Sequence, residues 1–262
     1  MATELLIVGL LSAGGAIGCS LARRHQASRL SGLLEARSTS VEELQSLQAT
    51  VAEQMGGGSF SERVKLNAEI VCDDPLQAPW SGEPCVAFDD TETELVEVYE
   101  ETTSTDANGR TTRQGSWQRR DQTLSQLERR CGFRLRQGSC SLPVEPEGAD
   151  LELETVVDST DRSGSGGPLG DLADMAGGRR SLGVRRVERI LRASGSVFVV
   201  AECSDASGVL QLQTPGESGL FVLRRGSEAE YSRSLRRWRR IWTVSALALA
   251  VLAGMLVLLA LA

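Results

Sequence analysis

Histidine is nearly absent from this chain: His25 is the only one in 262 residues. It lies beside an apolar stretch near the amino end, so no Ser-His-Asp or Cys-His centre can be assembled in the central region. Lysine is as scarce, with Lys65 the single lysine among 28 basic residues. No GxxxxG run precedes it, which excludes a Walker-type phosphate loop. The six cysteines, Cys19, Cys72, Cys85, Cys131, Cys140 and Cys203, form no CxxC pair. A zinc site would need four of them from scattered positions, and the sequence indicates no metal site and no cofactor. In a cytoplasmic setting these thiols are expected reduced and buried; on the opposite side of a membrane, Cys72 with Cys85 or Cys131 with Cys140 are the disulfides to expect. The SGSGG of residues 163–167 lacks both the GxSxG spacing and a histidine partner, so it reads as a linker. No catalytic residue is identifiable, and whether the chain is an enzyme stays open.

Aromatic residues make up only 4% of the chain, and the net charge of −7 argues against a generally basic nucleic-acid-binding surface. Positive charge gathers near the two ends and the middle is acidic. Glu92, Glu94, Glu97, Glu100 and Glu101 read as a solvated strand face rather than a catalytic carboxylate pair.

What the sequence does hold is two apolar runs. Residues 241–262, IWTVSALALAVLAGMLVLLALA, carry no charge and are long enough as a helix to cross the roughly 30 Å hydrocarbon core of a bilayer. Ala246, Ala250 and Gly254 line up in it as a small-residue face. Residues 5–22, LLIVGLLSAGGAIGCSLA, form a shorter candidate span. Glu4 precedes this run and Arg23 and Arg24 follow it, the reverse of a secretory signal, so an anchor is expected rather than a cleaved peptide. Gly14 and Gly18 make a GxxxG pair suited to docking the second span. Arg23, Arg24 and Arg29 follow the first run, and Arg233, Arg236, Arg237, Arg239 and Arg240 precede the second. Both collars thus lie on the side of the central region, which the positive-inside rule assigns to the cytoplasm. Arg236, Arg237, Trp238, Arg239, Arg240 and Trp242 are the expected membrane-interface residues, with the bilayer itself as partner.

Between the first run and the centre, Ser40 and Glu43 form a capping box ahead of Val41, Leu44, Leu47 and Val51, a short amphipathic helix ending near Gly56. The centre favours strands: VKLNAEIV from Val64, ETELVEVYEE from Glu92, SVFVVAEC from Ser196 and VLQLQ from Val209. Asn108-Gly109 is a hairpin signal, and the basic GSWQRR that follows is expected to pair with the acidic run. Residues 161–178 are flexible by composition. The fold expected is a membrane-anchored α+β protein with a mostly β central domain flanked by two transmembrane helices. Its divisions are a first transmembrane helix over 1–24, an amphipathic helix and linker over 25–59, the central domain over 60–232, and a basic collar with the second transmembrane helix over 233–262.

VKLNAEIVCDDPLQAPWSGEPCVAF, the charged β segment, GSWQRR, and RVERILRASGSVFVVAECSDASGVLQLQTPGESGLFVL before a membrane span resemble the GIDE domain, also called the beside-a-membrane (BAM) domain. It is found in the mitochondrial and chloroplast envelope E3 ubiquitin-protein ligases and their prokaryotic relatives. The string Pro75, Leu76, Pro79, Ser81, Gly82 and Cys85 carries the resemblance best; its prolines and glycine fix a rigid turn that delivers Cys85, Val86 and Phe88 into a sheet. The resemblance implies ubiquitin transfer, but the eukaryotic ligases perform it through a RING of eight zinc ligands after the second span. No RING is present in these residues, which look like a short, bacterial or cyanobacterial RING-less member. The expectation is therefore a two-span membrane protein whose GIDE-like domain is a binding or scaffold module for an unknown protein or peptide partner. The alternative is an E3 ubiquitin-protein transferase or a component of such a system.

Overall fold

The computed structural model describes residues 2–105, 111–162, 178–216 and 219–261. In chain order the elements are α1 (Ala2–Glu35), β1 (Arg37–Ser38), α2 (Val41–Met55), β2 (Ser61–Val71), β3 (Leu76–Gln77), β4 (Pro84–Thr105), β5 (Thr111–Arg130), β6 (Phe133–Gln137), β7 (Cys140–Val144), β8 (Asp150–Leu151), β9 (Glu154–Asp161), β10 (Arg179–Arg192), β11 (Ser194–Ser204), β12 (Gln211–Gln213), β13 (Val222–Arg224) and α3 (Glu228–Leu261). They fall into two units. The first comprises Met1–Val71, Arg134–Leu151 and Gly195–Ala262, and the second Cys72–Phe133 and Glu152–Ser194.

The first unit is built on a sheet ordered β1-β2-β6-β7-β12-β11-β13-β8, and a further pairing of β2 with β11 closes five of its strands into a small barrel. Along β2, Val64, Leu66, Ala68 and Ile70 are buried and alternate with more exposed residues, as one buried sheet face demands. β11 is buried on both faces from Val197 to Ala201. Phe198 and Val200 join Leu30, Leu33, Val222, Tyr231 and Leu235 in one apolar cluster, while Val197, Val199 and Ala201 lie on the opposite face. The carboxyl end of α1 and the first turns of α3 are thus set into the outside of the same strand.

α2 begins as its sequence demands, with the Ser40 hydroxyl accepting from the Glu43 amide at 3.1 Å. It packs on the sheet rather than standing free: Val41 and Leu44 are wholly buried, and the Val41 amide donates to Gln137 Oε1 at 2.9 Å. Beyond the sheet, α1 and α3 run against one another. α1 continues unbroken to Glu35. Of the described residues, one helix, Glu228–Leu259, is long and apolar enough to cross a membrane.

The glycines that meet the partner helix are not the GxxxG pair. A side chain on Gly9 would touch Val257, Leu256 and Ala253, and one on Gly15 would touch Leu249, whereas Gly14, Gly18 and Gly254 have nothing within 4 Å. Spacing marks a small-residue face, but the face used is chosen by what the rest of each helix must bury.

The second unit is one sheet ordered β3-β4-β10-β9, with β5 paired along β4 from Ala87 to Thr105. The acidic run lies on β4. Arg120 of β5 pairs with Glu100 as the charge pattern predicts, but β10 supplies more of the answering charge: Arg179 to Glu94, Arg180 to Glu97, Arg186 to Glu92 and Arg189 to Asp89. Asn108-Gly109 and most of the 161–178 segment lie outside the described residues.

Candidate functional site

The proline-rich stretch forms a tight hairpin in the second unit. Leu76 pairs with Cys85 and Gln77 with Pro84 across β3 and β4, and the Ala78 amide donates to Glu83 O at 3.1 Å. Gly82 closes the turn at φ +69°, a conformation glycine adopts without cost, and donates to Ala78 O at 2.9 Å. The turn delivers Cys85, Val86 and Phe88 into the buried part of β4, as its rigidity predicts. Pro75, Leu76, Pro79, Ser81, Gly82 and Cys85 are therefore brought together, with Cys85 in a core of Ala78, Phe88 and Ile190.

What holds the turn is a residue that local sequence does not mark. Glu188 of β10 is wholly buried, and its carboxylate accepts from the Trp80 amide at 2.7 Å and the Ser81 amide at 3.1 Å. Two consecutive backbone donors satisfy a charge that could not otherwise be kept out of water. Trp80 is left 37% exposed on this pinned backbone. One signal for Glu188 does exist in the sequence: it is the lone acid among six arginines in RRSLGVRRVERILR, with the same strand parity as the core residue Ile190.

Asp90 of β4 lies opposite Glu188 in the register and is 4% exposed. Burial pushes its carboxyl up to about 6, with Glu188 and then Asp89 adding to the effect. Burial likewise pushes the Cys85 thiol up to about 11 and, in the first unit, the Cys203 thiol up to about 12. These sulfurs are core atoms, not nucleophiles. The sulfurs that approach one another are Cys72 and Cys131, at 4.0 Å, rather than either pairing that spacing suggested.

The residues expected at a membrane interface lie on the third and fourth turns of α3. Arg236, Arg237, Arg239 and Arg240 are exposed, and the Trp238 and Trp242 rings stack with centroids 6.2 Å apart. On α1, Arg23 and Arg24 rim an apolar groove of about 620 Å³ that also takes in Ile17, Leu21, Ala246 and Leu247. The lone lysine, which sequence reasoning passed over, joins β2 to both helices. Lys65 donates to Glu228 at 2.6 Å and to the Leu33 carbonyl at 3.4 Å.

Residues 93–259, more than half of the chain, match the sequence profile of the GIDE family, described as E3 Ubiquitin ligase. The chain belongs to the GIDE family. The match starts beyond Cys85, so in this GIDE chain membership is carried by the long strands and the helix α3 rather than by the proline-rich turn. No curated protein matches the chain, and no solved structure does. Among the described residues no group of three or more His, Cys, Asp or Glu side chains is arranged to hold a metal ion.

Proposed function

We propose that this GIDE chain is a two-span membrane protein that holds its β-rich region beside the bilayer as a binding or scaffold module for a protein or peptide partner. The observation that carries this reading is Trp80: an aromatic ring, 37% exposed, on a turn whose amides are fixed by a wholly buried carboxylate. Exposed aromatics on rigid backbone lose little entropy on binding, which is why they anchor interfaces. The membrane part of the reading is supported by the apolarity of Glu228–Leu259, by the helix α1 packed along it, and by the exposed arginines and stacked tryptophans at its start. The arginine collars favour the cytoplasmic side for the β-rich region by the positive-inside rule.

Photocrosslinking from position 77, exposed on the same hairpin, in native membranes, followed by mass spectrometry, tests the module. Protein or peptide adducts lost on Trp80→Ala are expected; adducts to lipid alone would end the reading. Protease protection in oriented vesicles tests the side, with cleavage expected from the cytoplasmic face.

The family description favours a second reading, ubiquitin transfer. These residues contain six cysteines and one histidine, fewer than the eight ligands of a RING, so they transfer ubiquitin only if another source supplies that module. Transfer by this chain alone with a conjugating enzyme would replace the first reading with the second.

A further inference from the structure

Cys72 and Cys131 meet across 59 residues of sequence with their sulfurs 4.0 Å apart. Both are partly exposed free thiols, within reach of a small reagent, whereas Cys85 beside them is wholly buried with its thiol on the Leu76 carbonyl. Cys72 is the first residue of the second unit, and Cys131 comes just before the first segment of that unit ends at Phe133. A bond between them would enclose the proline-rich turn and the whole β4–β5 hairpin in one covalent loop. The sulfurs have to close to the roughly 2.05 Å of a disulfide, a movement on the scale of side-chain rotation.

We propose that Cys72 and Cys131 form a reversible oxidative staple by exchange with a low-molecular-weight disulfide. Cys72, deprotonated, attacks one sulfur of the donor, forming a mixed disulfide and expelling one donor thiolate, which takes up a proton. Cys131 then loses its proton and attacks the Cys72 sulfur; the Cys72–Cys131 bond forms and the second donor thiolate leaves and is protonated. Two cysteine thiols are oxidised and one donor disulfide is reduced to two thiols.

The order of the two attacks follows from the surroundings of Cys131. Its thiol donates to the Val86 carbonyl at 3.5 Å, and burial, followed by the neighbouring Cys72, pushes it up to about 11. A thiol held protonated in this way is the poorer first attacker and is suited to the second, intramolecular step. The inference does not depend on the binding role.

The test uses the full chain in detergent micelles with oxidised glutathione. The folded protein should lose two hydrogens, and digestion without reductant should give one peptide pair joined through Cys72 and Cys131. Because the loop enclosed is long, the oxidised form should melt about 5 °C or more above the reduced form. Cys131→Ser should stop at a glutathione adduct on Cys72, Cys72→Ser should form no link, and Cys85→Ser should link as the native chain does. A link through Cys85, a link that appears only after unfolding in urea, or no adduct on Cys72 in Cys131→Ser would overturn the proposal.

Discussion

Asp90 and Glu188 face each other across β4 and β10 with 4% and 0% of their surfaces in solvent, and Asp90 Oδ1 has no hydrogen-bond partner among the described residues. Glu188 has two backbone donors for its charge. Burial, more than the neighbouring carboxylates, pushes the Asp90 carboxyl up.

The sign of the pH effect follows. Asp90 ionises at about 6 in the folded chain against an ordinary value of 3.8, so the folded state holds its proton more tightly than the unfolded state does. Its contribution to stability is complete below pH 3.8 and is lost as pH rises through 6. Asp90→Asn should melt above the native chain at pH 7, and the gap should shrink toward zero near pH 4. Thermal melts of the two proteins across this range measure it; a gap independent of pH would contradict the assignment.

Asp205 has the opposite slope. Its carboxylate accepts from Gln48 Nε2 at 2.9 Å and the Phe60 amide at 2.8 Å, and these bonds, the Gln48 one first, hold it below its ordinary 3.8. That stability is present above pH 3.8 and lost as pH falls through the lowered value. Asp205→Asn should therefore be less stable than the native chain at pH 7 and converge with it in acid, as read from urea midpoints at each pH.

Removing Glu188 strands two amides. Glu188→Ala leaves the Trp80 and Ser81 N–H groups without their acceptor and should cost about 2–4 kcal/mol. Glu188→Gln keeps one acceptor oxygen and should cost less. Denaturant unfolding gives both numbers, and a tryptophan emission shift in Glu188→Ala alone would report release of the turn.

The helix pair can be tested with glycines a few residues apart. Gly9→Leu drives a side chain into Ala253, Leu256 and Val257 and should destabilise the pair by about 1–3 kcal/mol. Gly14→Leu points into open space and should be neutral or mildly stabilising. Equal effects of the two, measured by melting in detergent, would mean that the helices meet on another face.

Legibility followed the range of the interaction. The Ser40 cap is local and was readable from Ser40 and Glu43 alone. Alternation gave β2, because burial on one face writes period two into the sequence, whereas a continuous run of β-branched and aromatic residues gave β11, which is buried on both faces. The proline-rich turn was readable as a corner, but not what fixes it, since Glu188 is 108 residues from Trp80. The acidic run had two neighbours available, and charge alone favoured the adjacent β5 over the distant β10, whose arginines do more of the pairing. For the same reason cysteine spacing suggested the near pairs, while folding brought Cys72 to Cys131.

Lys65 sets a limit on amine chemistry. It is the only ε-amine in the chain, 13% exposed and engaged with Glu228 and the Leu33 carbonyl. An acylating reagent, or an enzyme that conjugates through lysine, finds one internal address, and reaching it means prising β2 from the ends of both long helices. As an acceptor of such modification the folded chain is close to inert, whatever it does to others.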